Sequence, residues 1–531
     1  MGNPKILPCD QAAIRAVASV PACTARRTWV LVAAVLGSTM AFVDESVVNV
    51  ALPKIEGDLH TRLGAMQWVV NAYTLCMSAL LLVGGAAADQ FGRRRVFVIG
   101  VLVFAAASLV CGLSPNVTVL IGARVLQGVG AALLVPCSLA LIGAAYDEKE
   151  RGAAIGIWSG ASAIAAGVAP ILGGTLVDHW SWRAIFLINP LLAVPTVWIA
   201  LRHVPESRDS QASTELDWRG AVLAFVGLSA LVYGLIAAAA RGWTDARVIA
   251  ALVAGAVGLG ALVLAEQRSR APMMPLELFR LRIFSGINLL TLLLYGALGG
   301  AFFFLPFLLM QARGYSATAV GVAYLPFTLV LGVLSRWSGG LVDRFGARGP
   351  LIIGPALTAL GLVLLATPRA PLGAVLLSMT VLGLGMAITV APLTTAVLNA
   401  VPAHRTGVAS GINNAVASVG GLLVVALLGT VALGVFDRSL DRHLAEVPAS
   451  STVAQAVNSA RSGFVIPAMP ATLAPEERER TRAIVAASLE DTVRLALWIA
   501  AALALASGVV TAVTIAPAPA LRAAGTPPRP S

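Results

Sequence analysis

The residues best placed to do chemistry are charges set inside long apolar runs. Asp44 and Glu45 stand in the run 29–53, and Arg124 stands in the run 117–145. An ionisable group at bilayer depth is costly and marks a functional site. Asp44 follows Trp29 by fifteen residues, or about 22 Å of helix, and Arg124 lies about 12 Å along a helix entering from the opposite face near Asn116. The two share a depth band, so contact between their helices would pair them. Burial and a neighbouring cation push the proton affinity of a carboxylate in opposite directions, the balance that a proton carrier needs. Asp44 is therefore expected to bind the proton and Arg124 to tune it; a static ion pair that only fixes helix packing is the alternative. Glu45 points about 100° away from Asp44, toward Ser38 and Asn49. A second carboxylate there would raise the proton count, attract cations, or stand hydrated without a role.

These charges need elements that cross a membrane, and composition demands the same. The 531 residues are 58% hydrophobic and 12% charged, with mean hydropathy +0.85. A soluble chain carries about twice that charge. Disorder, a collagen-like fibre and a disulfide scaffold are excluded. Apolar runs long enough to span a bilayer recur at 29–53, 65–88, 96–113, 117–145, 152–177, 184–201, 219–240, 247–265, 284–311, 317–341, 350–367, 372–400, 407–435 and 492–516. An all-α polytopic protein of about fourteen spans is expected.

The net charge of +11 needs no nucleic acid, because cytoplasmic loops collect Lys and Arg. With the N-terminus inside, one set of short loops holds about twice the basic residues of the other, so both termini are expected in the cytoplasm. The expected organisation is a cytoplasmic tail 1–28, a six-helix bundle 29–202, two inserted helices with linkers 203–282, a second bundle 283–516 with a long external loop 437–490, and a tail 517–531. Pro475-Glu476-Glu477 looks like a helix start inside that loop. The chain also repeats itself. Gly85, Asp89, Gly92 and Arg93 return as Gly339, Asp343, Gly346 and Arg348, with 254 residues between the aspartates. Arg151 and Arg405, each opening a glycine-bearing span, stand at the same offset. Transporters are commonly built from such repeats, with the substrate site where the halves meet.

Four motifs carry a resemblance. Val43-Asp44-Glu45-Ser46-Val47-Val48-Asn49-Val50-Ala51-Leu52-Pro53, Gly85 through Asp89 to Gly92-Arg93-Arg94-Arg95, Arg124-Val125-Leu126-Gln127-Gly128-Val129-Gly130, and Gly160 through Gly167 and Pro170 to Gly173-Gly174 follow in order. Together the chain resembles the major facilitator superfamily, in its fourteen-helix drug:proton antiporter branch. Ala169 stands where the fifth-helix motif usually has Gly. The resemblance implies two six-helix bundles rocking about a central site, a loop motif that latches one face, and a fifth helix that seals the interface between halves. Without the family, Gly85 and Gly92 permit a tight turn, and Asp89 can cap the next helix or pair with Arg93. Asp343 and Arg344 are the counterpart of that latch. Gly160, Gly167 and Gly174 recur every seven residues, a stripe for close helix packing in lipid.

Polar groups in apolar runs are candidates for a substrate cavity: Asn49, Asn71, Gln127, Gln311, Asn413 and Asn414. Trp68 and Tyr73 share these runs, where aromatic belts also place such residues. The histidines fall in or near loops, the cysteines have no metal-ligand spacing, and no nucleophile elbow or phosphate loop occurs. No enzyme, cofactor, metal or nucleic-acid partner is expected. The expected function is proton-coupled export of small lipophilic, cationic compounds by a monomer in the cell membrane, a bacterial inner membrane by preference. A metabolite facilitator or importer, and then a polytopic enzyme, are the alternatives.

Overall fold

A computed structural model gives the fold. It describes residues 21–208, 218–269, 274–368, 371–402, 406–445 and 474–515, with Val453, Val457, Ala460, Arg461 and Phe464 between the last two. Among the described residues there are fourteen long helices and no strand. They are α1 (Pro21–Asp58), α2 (Leu63–Phe91), α3 (Arg93–Gly112), α4 (Val117–Ala145), α5 (Glu148–His179), α6 (Ala184–His203), α7 (Trp218–Arg241) and α8 (Ala246–Arg268). A 3-10 turn (Leu276–Arg280) leads to α9 (Arg282–Pro306), which a π-helical turn (Phe307–Ala312) extends. The rest are α10 (Ala317–Phe345), α11 (Pro350–Leu365), α12 (Leu372–Asn399), α13 (Thr406–Ala445) and α14 (Pro475–Thr514).

Among the described residues, twelve helices are long and apolar enough to cross a membrane, and α2 is a thirteenth if its two limbs, bent by 51°, form one span. The apolar α11 has sixteen residues, about 24 Å of helix. A backbone without water to bond must satisfy itself, and helices do so within each segment. Their starts are set locally. The Asn116 side chain accepts from the Val119 amide at 3.0 Å, and Ser316 accepts from Ala319 at 3.1 Å. Between α2 and α3 the chain turns on Gly92 at φ +110°, a backbone state open to glycine.

Helices enter the expected external segment 437–490 from both ends. Its first residues continue α13 to Ala445 and its last residues belong to α14, which starts at Pro475, where the sequence reading has a helix start, with Glu476 and Glu477 in its first turn. Charged residues hid the periodicity. Thr481, Ile484, Val485, Ser488 and Leu489 are buried, a helical stripe on a segment whose other faces carry charge.

Helices α1–α6 form one bundle and α9–α14 a second. In the first, α4 lies against α1, α2 and α3; in the second, α9 packs on α13 and α14, and α10 and α11 on α12. Helices α7 and α8 pair through glycine contacts, Gly227 against Gly258 and Gly255 against Leu231. Helix α7 bridges the bundles, because Leu228, Val232 and Ile236 share an apolar cluster with Leu75 of α2 and with Leu422 and Ala426 of α13. Contacts at the helix ends define two poles. Trp182 with Asp58, Arg183 with Ser114 and Arg313 with Thr367 mark one. Arg93 with Ser207 and Arg348 with Ala512 mark the other. We call them the Asp58 pole and the Arg93 pole.

Candidate functional site

Asp44 and Arg124 meet. Asp44 is 2% exposed and Arg124 1%, and the guanidinium donates to Asp44 Oδ2 in a short contact. Gln127 Nε2 donates to Asp44 Oδ1 at 2.7 Å and Asn189 Nδ2 to the same oxygen at 3.2 Å. Arg124 also donates to Gln127 Oε1 at 2.8 Å and, through Nε, to the Val69 carbonyl at 2.9 Å. Its guanidinium lies 4.3 Å from the centre of the Tyr73 ring. Ser108 closes the knot, accepting from Asn189 at 3.0 Å and donating to the Phe186 carbonyl at 2.8 Å.

Five helices of the first bundle therefore converge on one carboxylate. Asp44 acts only as an acceptor in this arrangement, and both of its oxygens are engaged. Breaking such a buried pair by removing one partner costs about 3–5 kcal/mol. The spacing pairs Asp44 with Arg124, whereas Gln127, a cavity candidate in the sequence, is fully buried between them; the sequence reading does not reach Ser108 and Asn189. Asn189 had a signal, since it is a carboxamide in the apolar run 184–201, but Ser108 is small enough to pass as packing.

Glu45 is exposed although its neighbour is sealed. The half-buried Asn49 on the same face donates to the Glu45 carbonyl at 3.2 Å. Ser38, two turns away along that face, is buried and accepts from Trp158 Nε1 of α5 at 3.0 Å. Helix α1 thus presents a sealed acid to its own bundle and an open one beside it.

The loop motif resolves into two devices. Arg93 Nε donates to Asp89 Oδ1 at 2.8 Å, so of the two options for Asp89 the pairing is the one observed. The cap comes from elsewhere: Glu206, after α6, accepts from the Arg94 and Arg95 amides at 3.0 and 3.2 Å. A carboxylate at a helix start is stabilised by the dipole. A Cβ on Gly92 would stand 2.7 Å from Glu206 Oε1, a second reason for glycine there. A Cβ on Gly85 would stand 3.7 Å from the Pro136 side chain, an ordinary van der Waals contact. All of these contacts lie within the first bundle. The side chains of Asp343 and Arg344 fall outside the described residues.

The stripe on α5 separates the two poles. At the Asp58 pole, Gly174 abuts the Ala317 backbone of α10, Gly173 meets Val47 of α1, and Gly321 of α10 abuts the backbone at Pro170. Midway, a Cβ on Gly167 would touch Thr328 at 3.0 Å. Toward the Arg93 pole, Gly160 and Gly156 of α5 and Gly332 of α10 have open space. The seam is closed at the Asp58 pole and parted at the Arg93 pole.

The other polar candidates scatter. Asn413 is buried and donates to Thr291 Oγ1 at 2.8 Å and Asn288 Oδ1 at 3.2 Å, a small counterpart of the knot in the second bundle. Asn414 beside it is exposed. Asn71 is 1% exposed, and neither side-chain atom has a partner among the described residues. Gln311 is half-buried on the π-helical turn. Among the described residues, no cluster of His, Cys, Asp and Glu could hold a metal ion.

Comparison with known proteins agrees with this architecture. Residues 34–425 match the model of the family described as Major Facilitator Superfamily. The chain is 38% identical to the multidrug resistance protein Stp of Mycobacterium tuberculosis (strain CDC 1551 / Oshkosh) over 416 residues, covering 78% of this chain and 77% of that one. It is 34% identical over 508 residues to the tetracenomycin C resistance and export protein of Streptomyces glaucescens, covering 94% of each. A solved bacterial homologue of the human lysosomal transporter Spinster, inward-facing and unoccupied, superposes with TM-score 0.61 at 18% identity, covering 92% of this chain and 98% of that one.

Proposed function

The chain belongs to the Major Facilitator Superfamily, and on that premise we propose that it exports small lipophilic, cationic compounds from the cell in exchange for protons. The observation that carries the reading is the uneven seam, closed along α5 and α10 at one pole and parted at the other. Two packed bundles joined that way have a natural second state, in which the closed and parted poles exchange. The Arg93 pole carries Arg93, Arg94 and Arg95, and the positive-inside rule supports a reading in which that pole and both termini lie on the cytoplasmic side of the cell membrane. The parted pole then faces the cytoplasm.

Asp44 and Arg124 supply the proton step in this reading. Asp44 is closed to water in this conformation, so it exchanges a proton only after it parts from Arg124, when the bundles rearrange. Glu45, exposed on the adjoining face, gives cationic cargo or an arriving proton a first contact. A proton and a cation competing for the same acids yields exchange by population shift, because each favours a different state. The two named relatives, one a drug-resistance protein and one an export protein, support a drug-like small molecule as cargo and export as its direction. The monomer holds both bundles and therefore the whole cycle.

The test is expression in a drug-sensitive bacterium, with efflux of a preloaded cationic dye followed by fluorescence. Efflux that stops when a protonophore collapses the gradient supports the reading. Dye retention equal to that of the empty strain, from protein present in the membrane, contradicts it.

A further inference from the structure

At the Asp58 pole, the first bundle holds the second by its main chain. Asp178, the penultimate residue of α5, accepts from the Ala317 amide at 3.1 Å, the Thr318 amide at 2.7 Å and the Thr318 hydroxyl at 2.6 Å. Gln67 of α2 donates to the Val425 carbonyl of α13 at 2.6 Å, and Gly429 one turn on leaves the space its side chain fills. Glu56, near the end of α1, accepts from the Phe464 amide at 3.1 Å. Phe464 is buried among Phe304, Phe307 and Phe436, with ring centres 5.1–6.1 Å apart.

Gln67 is fully buried and Glu56 is 1% exposed. Gln67 Oε1 and Glu56 Oε2 have no partner among the described residues. A buried polar atom left without a partner is costly, so neither side chain is explained by packing alone. At the Arg93 pole the described bonds stay within one bundle: Asp89 with Arg93, Arg27 with Asp147 and Glu150, Arg348 with the Ala512 carbonyl. The cross-bundle bonds and the closed seam occupy the same pole.

We propose that Asp178, Gln67 and Glu56 are the positioning residues of the outer gate, each gripping backbone of the opposite bundle and together holding the inward-facing state. The inference rests on the alternating-access reading and adds to it the residues that set the balance between states. Because the grip is on main-chain groups, the specificity of the gate lies in the first bundle. From the second bundle, the side chains of Thr318 and Ser316 add to the grip on Asp178. Asp178 makes the most bonds, and charge-assisted bonds are the stronger kind. Its removal is expected to shift the outward-to-inward ratio by at least about tenfold.

The experiment uses the full chain in oriented vesicles with one reporter cysteine and a membrane-impermeant maleimide. Val47→Cys, behind the closed seam, reports access from outside; Gly160→Cys, where the seam is parted, reports access from inside. Adding Asp178→Ala is expected to raise labelling of the first by about tenfold or more and to lower labelling of the second. Asp178→Asn, which keeps one acceptor oxygen, is expected to fall between, and Glu56→Ala and Gln67→Ala to shift both reporters the same way. General loosening would raise both reporters, and that result overturns the proposal. Unchanged labelling in variants that elute as folded monomers also overturns it. Reciprocal labelling in a protein that moves no dye keeps the gate and rejects the exporter.

Discussion

Replacing Asp44 with Asn tests the buried pair most sharply. The change swaps one acceptor oxygen for an amide and leaves Arg124, 1% exposed, without its counter-charge. Stranding one member of a buried pair costs about 3–5 kcal/mol. Arg124 keeps Gln127 Oε1, the Val69 carbonyl and the Tyr73 ring, so the lower end of that range, about 3 kcal/mol, is expected. Removing both charges, as Asp44→Asn with Arg124→Gln, avoids the stranded cation and is expected to return most of the stability, a coupling of about 2–3 kcal/mol. The assay is a denaturant titration of the purified protein in detergent, run on both single variants and the double, beside dye-coupled proton flux in vesicles. A packing device is satisfied by the double variant, whereas a proton carrier is not. The expected result is a stable double variant that carries no protons. A double variant that still exchanges dye for protons refutes Asp44 as the carrier, and a single variant that costs less than about 1 kcal/mol refutes the buried-pair energetics.

Other consequences are as definite. Gly174→Val should block the Asp58 pole from closing, since even a Cβ collides with the Ala317 backbone; impermeant labelling of Val47→Cys from outside should rise while the protein still folds. Gly92→Ala combines a positive φ with a contact to Glu206, and is expected to lower stability by about 1–3 kcal/mol in denaturant titrations. In a Glu206→Ala background, which loses the cap on its own account, Gly92→Ala should add only the φ cost. Glu45→Gln is expected to weaken transport of divalent cations more than monovalent ones, read from initial rates in vesicles; equal losses would assign Glu45 to the proton instead.

Much of this arrangement is written in single-residue costs. A charge in an apolar run has few acceptable surroundings, so Asp44 and Arg124 point to each other from eighty positions apart. The helices are equally legible where the runs are purely apolar, and α4 begins and ends at the expected residues. Charged amphipathic segments are harder. The first five turns of α14 bury one stripe and show charge on the rest, so hydropathy alone reads them as loop. The trans cap from Glu206 and the grip of Asp178 on Ala317 are invisible for another reason. They join side chains to main chain across tertiary contacts, and a backbone amide leaves no mark in the sequence. Glycine gives the best hint of such places, as Gly92 and Gly429 do, but it does not name the partner.

The central claim is exchange of a proton for cargo, and paired fluxes in vesicles of the purified protein test it most directly. An imposed pH gradient, one internal pH dye and one cationic dye suffice. The account predicts that the gradient drives the cation uphill while protons move the other way, and that Asp44→Asn abolishes both movements together. Cation movement at the same rate with and without the gradient, and with no answering proton flux, would contradict it.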